Sequence, residues 1–170
     1  MAHAQPAVTV VADAGPLIYL AGAGLLALLP QLYDRVVTPR VVFDEIVVAG
    51  AGLLGAGEVA AATWLVLEDA PPSPELLRTL GRGEAAAIPL AERLQATMLC
   101  DDAAARATAK RRGLHVVGTL GVLLLAKNRR LLPSVGAVID AMRQHGCYVA
   151  DALVREVLTA AGEPPSPSGA

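Results

Sequence analysis

Short, uniformly apolar runs alternate along the chain with longer segments whose apolar residues recur at helical spacing. Val8-Thr-Val-Val-Ala12 is β-branched and ends at Asp13, the pattern of a strand buried on both faces. Residues 16–29 read as a helix broken near Gly22-Ala-Gly24, and 35–38 as a short strand. Pro39 suits a first helical turn and predicts a helix to 48, followed by a Gly-rich loop over 49–57. A strand is predicted over 63–67, a turn at Pro71, Pro72 and Pro74, and a short helix over 75–80. Then come a helix over 84–94, a strand over 97–100, a helix over 102–112 closed by Gly113, and a strand over 115–117. Helices over 119–129, 134–145 and 150–161 complete the pattern.

Strands alternating with helices predict a parallel sheet covered on both faces. The expected fold is therefore a three-layer α/β/α domain with a central parallel sheet. No internal repeat or long linker divides the chain. The expected organisation is a flexible N-terminus over 1–7, one domain over 8–162 and a disordered Pro/Ser/Gly tail over 163–170.

Composition raises one alternative. The 170 residues are 54% hydrophobic but only 3% aromatic, so the excess is Ala, Leu and Val. Residues 14–33 form a run of twenty without a charge, about the length that spans a bilayer. Pro16, Pro30 and three glycines interrupt it, and no basic cluster flanks it. A strand, a turn and an amphipathic helix explain the same residues, so no membrane association is expected. The start Met-Ala-His-Ala-Gln-Pro lacks the basic region of a secretory signal. Two cysteines (Cys100, Cys147) and three unpaired histidines fit neither a disulfide framework nor a zinc site. A reduced, cytoplasmic protein is expected.

Charge is unevenly distributed. The net charge is −2, but residues 1–85 hold nine acids and four bases, whereas 86–170 hold seven acids and ten bases. Between Asp102 and Asp140 there are seven bases and no acid.

The acids carry the candidate chemistry. In open parallel sheets, ligands bind beyond the C-terminal strand ends where strand order reverses. Asp13 follows the first strand and Asp101-Asp102 the strand over 97–100. Glu45 lies in the helix after the second strand, and Glu84 opens a helix whose dipole favours a carboxylate. Four or five such groups stay ionised together only beside a cation. All-oxygen donors select Mg²⁺ or Mn²⁺ over zinc, ions that support phosphodiester cleavage. The basic segment from Arg106 and Lys110 to Arg130 would hold a polyanion.

Five segments carry a resemblance. They are Val10-Val-Ala-Asp-Ala-Gly-Pro-Leu-Ile18, Thr38-Pro-Arg-Val-Val-Phe-Asp-Glu-Ile46, Gly81-Arg-Gly-Glu-Ala-Ala-Ala-Ile88, Leu99-Cys-Asp-Asp-Ala-Ala-Ala-Arg106 and Gly113-Leu-His-Val-Val-Gly-Thr-Leu-Gly-Val122. In this order the chain resembles the PIN-domain family, in its short prokaryotic branch related to VapC-type toxin ribonucleases. The resemblance implies a Mg²⁺- or Mn²⁺-dependent endoribonuclease acting on RNA. It implies Asp13 as central metal ligand, Glu84 and either Asp101 or Asp102 as further metal ligands, directly or through ordered waters, and Glu45 as the remaining catalytic acid. It also implies a toxin of a toxin–antitoxin pair. Apolar helices in so small a domain leave surface for a partner to cover, so a homodimer or an antitoxin-like partner is expected. Thr119 is expected mainly as a helix N-cap, with contact to a substrate phosphate as the second reading.

Three positions depart from the family pattern. Ala14-Gly15 replaces a hydroxylic pair after the first Asp, Pro89 lies inside the helix of Glu84, and Cys100 stands where Thr or Ser is common. Pro89 is expected to kink that helix and re-aim Glu84. These departures keep a second function open: a catalytically inactive PIN-like domain that binds RNA or protein.

Overall fold

The computed structural model describes residues 7–164. Five strands, β1 (Thr9–Ala12), β2 (Arg35–Pro39), β3 (Leu65–Glu68), β4 (Thr97–Leu99) and β5 (Val116–Val117), form one parallel sheet in the order β3-β2-β1-β4-β5. Among the described residues nine α-helices cover it: α1 (Ala14–Gly22), α2 (Leu29–Leu32), α3 (Arg40–Asp44), α4 (Ala56–Ala61), α5 (Arg82–Leu94), α6 (Ala103–Arg111), α7 (Thr119–Asn128), α8 (Val135–Gln144) and α9 (Asp151–Ala160). The three-layer α/β/α arrangement is the one the alternating pattern predicts.

β1 is the central strand. Val10 sits opposite Val36 of β2 on one side and Thr97 of β4 on the other. Its side chains alternate between faces. Val10 and Ala12 join the core built with α1, α2, α7, α8 and α9, while Val11 joins Val37, Met98 and Cys100 against α5 and α6. The second face is lined with small residues: Ala85, Ala87 and Ala91 of α5 and Ala105 and Ala109 of α6 are buried. Strand order runs outward from β1 through β2 to β3, then restarts at β4 on the other side of β1. The reversal places a crevice at the C-terminal ends of β1 and β4.

The uncharged run over 14–33 is not one helix. α1 ends at Gly22, and the next helical piece, Leu26–Leu32, which opens with a 3₁₀ turn over Leu26–Leu28, is bent from it by 116°. Leu17, Leu20, Leu29 and Leu32 are buried in the core. No single helix among the described residues is long and apolar enough to cross a membrane.

Two predicted elements change. The helix expected over 39–48 is α-helical only through Asp44; Glu45–Ala49 widens into a π-helical turn, closed by the Gly50 N–H donating to the Glu45 carbonyl at 3.0 Å. Such turns recur at functional sites. The loop expected over 49–57 ends at Gly55, and α4 begins at Ala56, because Ala56 and Val59 find a buried place against the core.

The kink expected at Pro89 does not break α5, which runs continuously from Arg82 to Leu94. Proline leaves the carbonyl four residues earlier, that of Ala85, without its helical donor. The backbone N–H of Ser73, from the proline-rich turn before the helix, donates to that carbonyl at 2.9 Å. The lost hydrogen bond is replaced from outside the helix.

The expected flexible N-terminus and tail lie largely outside the described residues. Glu163, the first residue of the expected tail, is bound. Its carboxylate accepts from the Val135 N–H at 2.7 Å, the Gly136 N–H at 2.9 Å and the Ser134 hydroxyl at 3.0 Å, and pairs with Lys127 at 3.1 Å. It thus closes the positive N-terminal end of α8. Burial acts to raise its pKa. The Gly136 and Val135 N–H groups, with Lys127 and Ser134, outweigh this and hold it at about 2.

Two predictions follow from these contacts. Ser73→Pro removes the donor to Ala85 and is expected to lower stability by about 1–3 kcal/mol. Pro89→Ala restores a helical donor and is expected to rescue most of that loss, measured as a double-mutant cycle in urea. Glu163→Gln is expected to lower the melting temperature at pH 7. Because the folded pKa lies below the ordinary carboxylate value, the stabilisation is complete above about pH 4.5 and disappears as the pH falls towards 2. Melting curves of the two proteins should converge across that window.

Candidate active site

The crevice between β1 and β4 collects the acids. Asp13 is the first residue after β1, with its backbone N–H donating to the Leu99 carbonyl of β4 at 3.0 Å. One residue back, the Ala12 carbonyl accepts from the buried Thr38 hydroxyl of β2 at 2.8 Å. Both neighbouring strands therefore fix the backbone that presents Asp13. Asp13 stands at the N-cap position of α1, yet its carboxylate makes no capping bond there. The side chain is only 5% exposed and points into the crevice instead.

Burial pushes the Asp13 carboxyl up to about 7, aided by Glu84, Glu45 and Asp101 and opposed by the Ala14 N–H. The Cys100 thiol, next in line after β4, lies 3.9 Å from Asp13 Oδ2. Burial and the neighbouring Asp13 push that thiol up to about 12, so a protonated thiol faces the Asp13 carboxylate.

Glu45 arrives at the start of the π-helical turn. Its pKa is raised, first by desolvation and then by Glu84, while Arg82 acts against the rise. Gly83 of α5 is what lets these groups meet. A methyl group there would fall 3.0 Å from Asp13 Oδ1 and 3.2 Å from Glu45 Oε2. Glu84 lies in the first turn of α5 and lines the same crevice, with its carboxylate folded back over Gly81.

The alternatives left open at Asp101 and Asp102 separate clearly. Asp102 is the N-cap of α6, accepting from the Ala105 N–H at 2.8 Å. Asp101 reaches across to α7, where Thr119 donates its backbone N–H to Oδ1 at 2.8 Å and its hydroxyl to Oδ2 at 2.6 Å. Gly118, directly before Thr119, keeps this approach open, since a methyl there would fall 2.9 Å from Asp101 Oδ1.

Two of the three expected substrate contacts are corrected. Thr119 is neither the N-cap, which is Gly118, nor a phosphate contact: it is 2% exposed and its hydroxyl is donated to Asp101. Lys110 lies in the last turn of α6, about 12 Å along the helix from the crevice at 1.5 Å per residue. Arg106 stands at the crevice edge, where one N–H of its guanidinium donates to the Cys100 carbonyl at 2.8 Å and the others remain available.

Three further bases of the segment are engaged elsewhere. Arg112 pairs with Glu75 and Glu92, Lys127 with Glu163, and Arg129 donates to the Leu32 carbonyl. Helices that follow parallel strands begin at the site and end at the opposite edge of the sheet. Bases favoured at helix C-termini are thereby carried away from it.

Sequence reasoning missed Arg82, which lines the crevice beside Glu45, although it lay inside the segment Gly81-Arg-Gly-Glu84. It also missed Tyr19, four residues after Gly15 and so on the same face of α1. Cys147 and Tyr148 line the crevice from the far end of the chain, and no local signal marks them.

The crevice has a volume of about 600 Å³. Among the described residues, no three acid, histidine or cysteine side chains converge closely enough to form a complete ion site. The donor chemistry nevertheless fits a hard divalent cation. Asp13 and Glu45 direct carboxylate oxygens at the space that a side chain on Gly83 would fill, and the surrounding carboxylates leave uncompensated negative charge.

Comparisons with known proteins agree with this architecture. The family model described as DUF3368: PIN domain matches residues 9–163. None of the curated proteins matches the chain. Among solved structures, the chain is similar to a PilT N-terminus domain protein, SSO1118, from the hyperthermophilic archaeon Sulfolobus solfataricus P2. That similarity has a TM-score of 0.50 and 18% identity, covering 68% of this chain and 91% of the other; at that identity it speaks for the fold. The matched span contains all five strands and every acid of the crevice, and the chain belongs to the PIN-domain family.

Proposed function

We propose that this chain is an endoribonuclease that hydrolyses RNA phosphodiester bonds with Mg²⁺ or Mn²⁺. PIN domains are generally nucleases and bind nucleic acids. The observation that carries the finer reading is the gathering of Asp13, Glu45, Glu84 and Asp101 in one crevice where the strand order reverses. The toxin role and an antitoxin-like partner rest on the family resemblance, a homodimer on the apolar surface expected of so small a domain, and a cytoplasmic location on the cysteine usage.

Asp13 and Glu45 would hold the ion, with Asp101 and Glu84 completing the charge around it. When bound, the ion supplies Lewis-acid activation of water and neutralises developing charge on the phosphate. Thr119 fixes the rotamer of Asp101 through two hydrogen bonds, leaving its remaining lone pairs to face the crevice. Arg82 is the cation placed to meet a phosphate oxygen. The buried wall of Cys100 and Leu99 keeps water from the inner side of Asp13. Asp102 is assigned to capping α6. A non-catalytic RNA-binding module is the second reading, favoured by Ala14-Gly15, which places no hydroxyl beside Asp13.

The test is cleavage of single-stranded RNA. Cleavage is expected with Mn²⁺ or Mg²⁺ and not with EDTA. Asp13→Asn should lower it roughly a hundredfold or more, and Thr119→Val, which frees Asp101, roughly 10–100-fold. Lys110→Ala should leave the rate unchanged. Cleavage that survives both EDTA and Asp13→Asn overturns the reading, and RNA binding without cleavage establishes the second one.

The raised pKa of Asp13 adds a stability prediction. In the folded state the carboxyl titrates near 7, against 3.8 ordinarily. Between those values the folded state binds the extra proton, so stability falls as the pH rises from about 4 to 7, by up to about 4 kcal/mol. Asp13→Asn removes this loss and should be more stable than the natural chain at pH 8, with the difference shrinking towards pH 4. Mn²⁺ should raise the melting temperature of the natural chain more at pH 8 than at pH 6, because its binding displaces the proton. Differential scanning calorimetry across this range measures both.

A further inference from the structure

We propose that a second cavity, beside the acidic crevice, is a subsite for one nucleobase of the RNA, with the ring of Tyr19 as its stacking face; this rests on the nuclease reading above. The cavity has a volume of about 350 Å³, within the size range of ligand pockets and large enough for a single base. It lies between α1, the π-helical turn and the segment after α8, and its walls include Ile18, Ile46, Leu53 and Leu54. The two cavities adjoin: Tyr19, Glu45, Met142 and Cys147 line both. A strand whose phosphate lies among the carboxylates therefore has a flanking nucleotide at the entrance of the apolar cavity.

Tyr19 stands at the junction. A methyl on Gly15 would fall 3.4 Å from Asp101 Oδ2 and 4.0 Å from Tyr19 Cε2, so the ring and the carboxylate flank the same glycine. The ring is 37% exposed in a chain that is only 3% aromatic. A flat ring beside apolar walls suits any base, because every base has a π-face. The polar groups on these walls are few: the Tyr19 hydroxyl, Glu45, His145 and the Cys147 thiol. The subsite is thus built to accept the face of a base more than to read its edge. A protein side chain from a partner would fill the same apolar space without requiring an entrance from the catalytic crevice, and the shared lining favours the base.

The experiment uses the full chain and short single-stranded RNA oligomers in which one nucleotide at a time is abasic. Binding is read by fluorescence anisotropy in Ca²⁺, a hard cation that neutralises carboxylates, and cleavage is read separately in Mn²⁺. One abasic position, adjacent to the bond that is cut, is expected to weaken binding about tenfold. That penalty should vanish in Tyr19→Ala and in Ala23→Met, which fills the cavity from its α1 wall, and persist in Tyr19→Phe. Circular dichroism confirms that each variant is folded. An abasic penalty equal in all four proteins overturns the subsite. So does an Ala23→Met variant that changes only the sedimentation of the protein, which assigns the cavity to a protein partner. RNA that binds with the expected pattern but is not cut in Mn²⁺ overturns the nuclease reading while leaving the subsite standing; RNA that does not bind at all overturns both.

Discussion

Asp13 sits at the end of the strand that pairs on both sides, is almost fully buried, and has carboxylates as its nearest charged neighbours. Much of the molecule is arranged around that desolvated charge. The Thr38 hydroxyl of β2 and the Leu99 carbonyl of β4 hold the Ala12–Asp13 peptide from the two neighbouring strands. Gly83 gives up a side chain so that Glu45 can approach. The unoffset charge weakens the folded state near neutral pH, and a cation that relieved it would stabilise the fold and assemble the site together.

Helix polarity distributes the remaining charge. Asp101, Asp102 and Glu163 each accept N–H groups at the start of a helix, at α7, α6 and α8 respectively. Lys110, Arg111 and Lys127 fall in last turns. In a parallel sheet the first turns of α6 and α7 lie beside the site and their last turns on the opposite edge. The acid-poor, base-rich stretch after Asp102 is therefore explained by dipole-favoured termini. It does not form a continuous track for RNA, and Arg82, outside that stretch, is a cation that lines the crevice.

Two local irregularities show how the site is held without breaking the fold. Pro89 deprives Ala85 of a helical donor, and Ser73 restores it from a neighbouring turn. The helix that carries Gly83 and Glu84 therefore stays continuous. The π-helical turn at Glu45 adds one residue to the ring of its hydrogen bond, at the point where that side chain enters the crevice and where the apolar cavity adjoins it.

Local sequence determined the alternation of strand and helix, the parallel sheet, and the positions of Asp13, Glu45, Glu84 and Asp101-Asp102. Each of these depends on periodicity or on strand and helix ends, which neighbouring residues encode. The tertiary structure alone decided which Asp caps a helix and which turns to Thr119, because the choice depends on α7 packing beside β4. It likewise decided that Thr119 binds a carboxylate and that Lys110 lies at the wrong edge. It supplied the donor for Ala85, brought Cys147 and Tyr148 to the crevice, and opened a cavity next to Tyr19. All of these are contacts between segments distant in the chain, and no local pattern of residues specifies which distant group will arrive.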